Sequence, residues 1–252
     1  NNITLNEKLF ARIKAVYDQK DQANLTPEQN KLLEKVYNSF VRSGANLEGE
    51  AKEQYRALSK ELSLLTLQFG ENNLKETNDY KLVLTDPAQL AGLPQSAIDA
   101  AAETAKEKGV EGWVFTLQAP SYSPFMTYAS NRDLRCKLYM AYNTKCTHDN
   151  ETNNLEIVKK LVNTRLAIAQ LLGYNSFAEY NLQERMAENS GNVYKLLDQL
   201  LDAYTPTAKQ EYAEVEALAR QLEGSDFTVM PWDWSYYSHK LKDQKFQIDD
   251  EM

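Results

Sequence analysis

Beginning at Ala51, the apolar residues Ala51, Tyr55, Leu58, Leu62, Leu65 and Phe69 return at alternating steps of four and three. A repeat of that kind keeps one seam of an α-helix turned toward a partner, and no other regular structure buries all six on one side. No proline interrupts residues 51–77, so the spacing predicts a single helix about 40 Å long at about 1.5 Å per residue. The punctuation of the whole chain agrees with this. Nine glycines and seven prolines in 252 residues are each about half of average usage, which leaves few positions where helices must stop. The expected fold class is all-α, a multi-helix bundle.

Other stretches read the same way. After Asn6 as cap, Leu9, Phe10, Ile13, Val16 and Tyr17 form the stripe of a helix over 7–22. Thr26-Pro27-Glu28-Gln29 is a capping box with proline at the first helical position, opening a helix over 27–43 that ends at Gly44. An alanine-rich helix is predicted from Ala97 to Lys108, with Gly109 placed to end it. Helices resume from Pro124. The segment Thr152 to Leu172 is apolar on more than one side and is expected to be buried between neighbours. Ser190 is the expected cap of a helix toward Glu223 that Pro206 must kink or split, and Pro231 starts another through Tyr236 and Leu241. Two short runs break the helical texture: Tyr80 to Leu84 and Trp113 to Leu117 are partly β-branched and bounded by proline, and they predict one small two-stranded β ribbon. No Gly/Ser linker or repeat marks a boundary, so residues 1–252 are expected to form a single helical region.

Charge and composition exclude several function classes. Twenty-eight Lys and Arg stand against 36 Asp and Glu, a net charge of −8, the wrong sign for a chain that must neutralise phosphates, so no nucleic-acid partner is expected. Apolar runs such as Leu64-Leu65 are cut short by Ser or Thr, far below the roughly 18 residues of a membrane span. The net charge favours solubility while leaving room for weak self-association through apolar patches. The compartment, cytoplasmic or periplasmic, stays open, because two cysteines set no disulfide framework.

Candidate chemistry is sparse. A helical zinc site needs two imidazoles at i and i+4 with a Glu between them, but the two histidines, His148 and His239, stand far apart. Cys146-Thr147-His148 with Cys136 offers three ligands around a polar loop and lacks a fourth. Ser238, His239 and Asp243 contain the letters of a triad, yet adjacent residues on a helix point about 100° apart. Asp249, Asp250 and Glu251 read as the solvated start of a further helix rather than a metal cluster. The densest aromatic cluster, Trp232-Asp233-Trp234 with Tyr236 and Tyr237, reads as core with a wet rim, with a ligand platform as the alternative. These residues compose no self-contained active site: no catalytic, cofactor-binding or metal-ligating residue is assigned.

Five segments nevertheless carry a resemblance: Asn6 to Ile13 (NEKLFARI), Leu90 to Pro94 (LAGLP), Lys106 to Gly112 (KEKGVEG), Leu171 to Tyr174 (LLGY), and Phe227 to Trp234 (FTVMPWDW) with Tyr237. In this order they resemble the peptidyl-dipeptidase branch of the thimet-oligopeptidase-like (M3) zinc metallopeptidases. The resemblance implies an almost wholly helical ellipsoid cut by a deep channel that admits oligopeptides, from whose C-termini dipeptides are released. It implies zinc held by a His-Glu-x-x-His helix and a downstream Glu, with the Glu between the histidines as general base. That helix lies beyond the tryptophan-rich segment and has no counterpart here. The chain is therefore expected to be part of the channel wall of such an enzyme, to bind no zinc itself and to be inactive alone. A free-standing helical interaction domain is the alternative reading.

Overall fold

The computed structural model describes residues 3–246. Ten α-helices occur among them: α1 (Glu7–Asp18), α2 (Pro27–Arg42), α3 (Gly49–Asp79), α4 (Gln95–Glu107), α5 (Ala119–Tyr128), α6 (Arg132–Asn143), α7 (Leu155–Leu171), α8 (Phe177–Leu182), α9 (Ser190–Glu223) and α10 (Trp234–Phe246). Strands β1 (Leu82–Leu84) and β2 (Trp113–Phe115) pair antiparallel, with Leu82 opposite Phe115 and Leu84 opposite Trp113. The all-α class with one small ribbon is thus what the chain forms. The backbone divides into two compact units, Asn1–Phe69 with Glu156–Tyr194, and Gly70–Leu155 with Lys195–Met252.

In the first unit, the capping box forms as the sequence dictates, with the Thr26 hydroxyl accepting from the Gln29 amide and the Gln29 side chain accepting from the Thr26 amide. The stripes of α1 and α2 then meet: Phe10 and Phe40 are buried together, and Tyr17 stacks on Tyr37 at 3.8 Å. The heptad seam of α3 packs in two clusters, Tyr55 with Leu5 and Ile168, and Leu65 with Ile157 and Leu161. Arg42 closes the α2 end onto α8, donating to the Tyr180 carbonyl at 2.7 Å with its guanidinium over the Tyr180 ring.

The second unit is built on the ribbon. Leu82, Leu84 and Phe115 pack against Ala101 of α4, Phe125 of α5 and Leu138 of α6, all nearly or wholly inaccessible. Two glycines make this possible. Gly112 has φ +93, and a Cβ there would stand 2.1 Å from the Leu84 carbonyl oxygen, while at Gly92 (φ +88) it would stand 2.3 Å from that of Tyr128. Both conformations disfavour L side chains and both approaches forbid a methyl. Each glycine lies in a segment that carries the family resemblance, so those short motifs record backbone constraints.

Several expectations need correction. The first helix stops at Asp18, and Lys20–Gln22 forms a separate 3₁₀ turn. Helices resume at Ala119, ahead of Pro124, because Pro120 sits in the first turn, where its missing N–H costs nothing. Residues 144–154 form a loop, and α7 begins only at Leu155. Nor is α7 covered on all sides: Ile157, Leu161, Ile168 and Ala169 are buried, whereas Leu155, Val158, Val162 and Leu166 are exposed. The cap of α9 is Asn189, whose side chain accepts from the Asn192 amide, with Ser190 already helical. That helix runs unbroken past Pro206. Beside the proline, the Thr205 hydroxyl donates to the Leu201 carbonyl at 2.5 Å, a back-bond of the kind that bends helices.

Candidate functional site

The segment Met230 to Trp234 joins α9 to α10 in the second unit, through a 3₁₀ turn over Pro231–Asp233. Proline starts this turn with its φ preset, and Asp233 is fully buried. Its carboxylate accepts from Arg132 Nη2 at 2.7 Å, from Arg132 Nε at 3.1 Å, from Arg135 Nη2 at 2.9 Å and from the Met230 amide at 3.0 Å. Both arginines lie on α6, one turn apart, so a single helix face presents both guanidiniums. Arg135 is itself buried and donates to the Ala129 carbonyl at 2.7 Å and the Trp232 carbonyl at 3.3 Å, with its guanidinium 4.1 Å from the centre of the Tyr236 ring. Arg132 lies over Phe227 and donates to the Thr228 carbonyl. Burial pushes the Asp233 carboxyl up. The hydrogen bonds from Arg132, the Met230 amide and Arg135 outweigh burial and hold it below the usual carboxylate range.

Chemically this is a clamp rather than a catalyst. Every oxygen of Asp233 is engaged and none is open to a substrate, so the group fixes the turn and the side chains the turn carries. Tyr237 donates to Glu223 at 2.9 Å, and burial followed by that carboxylate pushes its phenol well up, out of reach of proton transfer near neutrality. Outward from the clamp, Trp234 stacks on Tyr212 at 5.9 Å and lines a surface cleft with Val229, Met230 and Pro231. Trp234 is 41% exposed and Tyr212 44%. The aromatic cluster is therefore core with a wet rim, Tyr236 and Tyr237 inside and Trp234 outside. An exposed apolar face lies elsewhere, on α9, where Tyr194, Leu197, Leu201 and Tyr204 are 65%, 51%, 65% and 65% exposed.

The other candidates separate. Ser238 Oγ is buried and makes no hydrogen bond among the described residues, so His239 does not activate it. His239 lies 3.0 Å from Asp243 and edge-on to the Tyr128 ring. Cys146 is buried, and its thiol is pushed up to about 11 by burial and by the neighbouring Glu76 carboxylate, which makes it inert. His148 is exposed, 3.9 Å from Glu76 and 3.2 Å from the Thr144 hydroxyl, and Cys136 is half-buried on α6. Asp249, Asp250 and Glu251 lie outside the described residues. Among the described residues no three His, Cys, Asp or Glu side chains come together as metal ligands, so they do not fit the zinc that the family resemblance implies. No helix among them is long and apolar enough to cross a membrane.

Glu76 escaped sequence reasoning. It accepts from the Cys146 amide at 2.6 Å and the Thr152 hydroxyl at 3.1 Å, pinning the 144–154 loop onto α3, with Asn72 donating to Asn154 and Lys75 paired with Glu151 beside it. Cys146 has φ +58, a clue that only the fold reveals.

The clamp and the turn it holds fall inside a stretch that recurs in one protein class. The family model for Peptidase family M3 matches residues 125–252, half of the chain, and the chain belongs to that family. Oligopeptidase A of Haemophilus influenzae is 34% identical over 247 residues, covering 96% of this chain and 36% of that protein. Oligopeptidase A of Escherichia coli is 34% identical over 249 residues, covering 97% and 36%. Dipeptidyl carboxypeptidase of Escherichia coli is 31% identical over 251 residues, covering 99% and 37%. The chain spans little more than a third of the length of these relatives.

Proposed function

We propose that this chain is the helical portion, preceding the zinc-binding segment, of an oligopeptide-hydrolysing zinc metallopeptidase, that it forms part of the channel wall and that it is inactive alone. The observation that carries the reading is its similarity, over nearly its whole length, to oligopeptidase A and dipeptidyl carboxypeptidase. In this reading the metal and the water it activates are held by residues beyond the described ones, among which no three His, Cys, Asp or Glu side chains come together. What these residues supply is a frame: the Asp233 clamp holds the turn ahead of α10, from which a catalytic segment would continue. Oligopeptides are the substrate class, in a cytoplasmic or periplasmic setting.

Release of C-terminal dipeptides is the specificity we assign. Oligopeptide hydrolysis by internal cuts, without release of C-terminal dipeptides, is the second reading, left open because oligopeptidase A, at 34%, is more similar than dipeptidyl carboxypeptidase, at 31%. The deciding experiment uses the complete polypeptide of the reading frame that contains this chain, with zinc, on an N-blocked octapeptide. Stepwise loss of C-terminal dipeptides, stopped by a chelator and by C-terminal amidation, is expected. Internal cuts indifferent to amidation would establish the second reading, and chelator-resistant or absent hydrolysis would overturn both.

A further inference from the structure

A cleft in the second unit lies between α4, the start of α5 and the last turn of α3, and it takes no part in the proposed hydrolysis. It encloses about 420 Å³, within the range of small-molecule sites, about 300–1,000 Å³. One wall is the face of α4 that carries Ala97, Ala100 and Thr104, running about 16 Å to Lys108. Phe115 of β2, which belongs to the core of the ribbon and has 1% of its surface accessible, also lines the cleft.

Among the polar groups lining this cleft, the hydroxyls of Thr77, Thr104, Thr116 and Ser121 are hydrogen-bonded within the protein. Gln118 Nε2 donates to Asn78 Oδ1 at 2.7 Å, which orients both amides. Neither amide makes a further hydrogen bond among the described residues, so the Asn78 N–H donors and the Gln118 carbonyl remain open to a ligand. Lys108 is the one ionised side chain lining the cleft, and it makes no ion pair among the described residues. It stands at the C-terminal end of α4. A lone positive charge at the end of an apolar trough, in a chain of net charge −8, selects an anion with an apolar body.

We propose that this cleft binds a small apolar molecule ending in a carboxylate, its body along Ala97, Ala100 and Thr104 of α4 and its carboxylate at Lys108. The inference stands independently of the peptidase reading. Two sources share this chemistry, the C-terminus of a short peptide and a free aliphatic acid.

The test is a nuclear magnetic resonance titration of the 252-residue chain with N-acetyl-leucyl-leucine, its C-terminal amide, and octanoate. Saturable shifts confined to residues 97–108 and 115–121 are expected, the acid binding about three- to five-fold more tightly than the amide, as for one exposed charge pair. Lys108→Gln should erase the difference between acid and amide. Ala100→Leu should weaken both about tenfold or more by filling the trough. Both positions are exposed, so circular dichroism should show an unchanged fold. A dipeptide that outcompetes octanoate assigns the site to peptide ends, and parity assigns it to carboxylates at large. Absence of saturation at millimolar concentration, equal affinity for acid and amide, or indifference to Ala100→Leu would overturn the proposal.

Discussion

Two carboxylates in the second unit do the same mechanical task in different surroundings. Asp233 and Glu76 each pin a non-helical segment onto a helix, the Pro231–Asp233 turn onto α6 and the 144–154 loop onto α3. Asp233 has no accessible surface and faces two guanidiniums, whereas the Glu76 side chain is 18% exposed and is held by an amide, a hydroxyl and a distant imidazole. A buried charge whose partner is removed leaves an uncompensated charge in a medium that cannot solvate it. A carboxylate at the margin leaves behind neutral donors that water can reach. The burial of the partners, more than the number of bonds, sets what each contact contributes.

The largest effect expected from this difference is at Asp233. Asp233→Asn should destabilise the chain by about 3–5 kcal/mol, since Arg135 would keep its charge with no counterion. Denaturant unfolding would measure it, and a loss below 1 kcal/mol would remove the basis of the comparison. Glu76→Gln should cost about 1–2 kcal/mol, because the amide retains one acceptor for the Cys146 N–H or the Thr152 hydroxyl. Its signature should be local: faster hydrogen exchange at Cys146 and earlier reaction of that thiol, with the ribbon core unchanged.

Acidity separates the two sites further. The folded-state pKa of Asp233 is depressed, so its contribution is complete above the unfolded value near 3.9 and is lost as pH falls through the lower, folded value. Acid unfolding should therefore be steepest below about pH 4, and Asp233→Asn should flatten that limb. The Cys146 thiol behaves in the opposite sense. With its pKa raised to about 11, its contribution is present below the ordinary thiol value near 8.5 and is lost as pH rises through 11. The smallest effect is at the rim. Trp234→Ala should cost only about 0.5–1.5 kcal/mol, the worth of its stack on Tyr212, and calorimetry should show a shift of a few degrees at most.

How much of this the sequence disclosed follows from the range of each interaction. Helices α2, α3 and α4 are legible because their stripes, capping box and terminating glycine act within a few residues. The ribbon is legible because two β-branched runs stand out from helical texture. What could not be read is long-range: nothing in the sequence ties Arg132 and Arg135 to an aspartate about a hundred positions later, or Glu76 to the Cys146 amide. The misreading of α7 has the same origin. Leu155, Val158, Val162 and Leu166 are as apolar as Ile157 and Leu161, and composition cannot say which face the chain covers. The aromatic end is the core with a wet rim that its composition suggests, but which rings turn inward, Tyr236 and Tyr237, and which stays outside, Trp234, appears only in the fold. The family segments were legible as motifs, yet the reason for two of them, Gly92 and Gly112, appears only where a methyl would strike a carbonyl.

Zinc stoichiometry separates the proposed role of these residues, framing a peptidase without holding its metal, from that of a metal-binding chain. The 252-residue chain, incubated with excess zinc and passed through a desalting column, should retain well under one ion per chain by elemental analysis and release no dipeptide from a blocked oligopeptide. One zinc per chain, retained through desalting and removed by a chelator together with peptide hydrolysis, would show that this chain holds the metal itself.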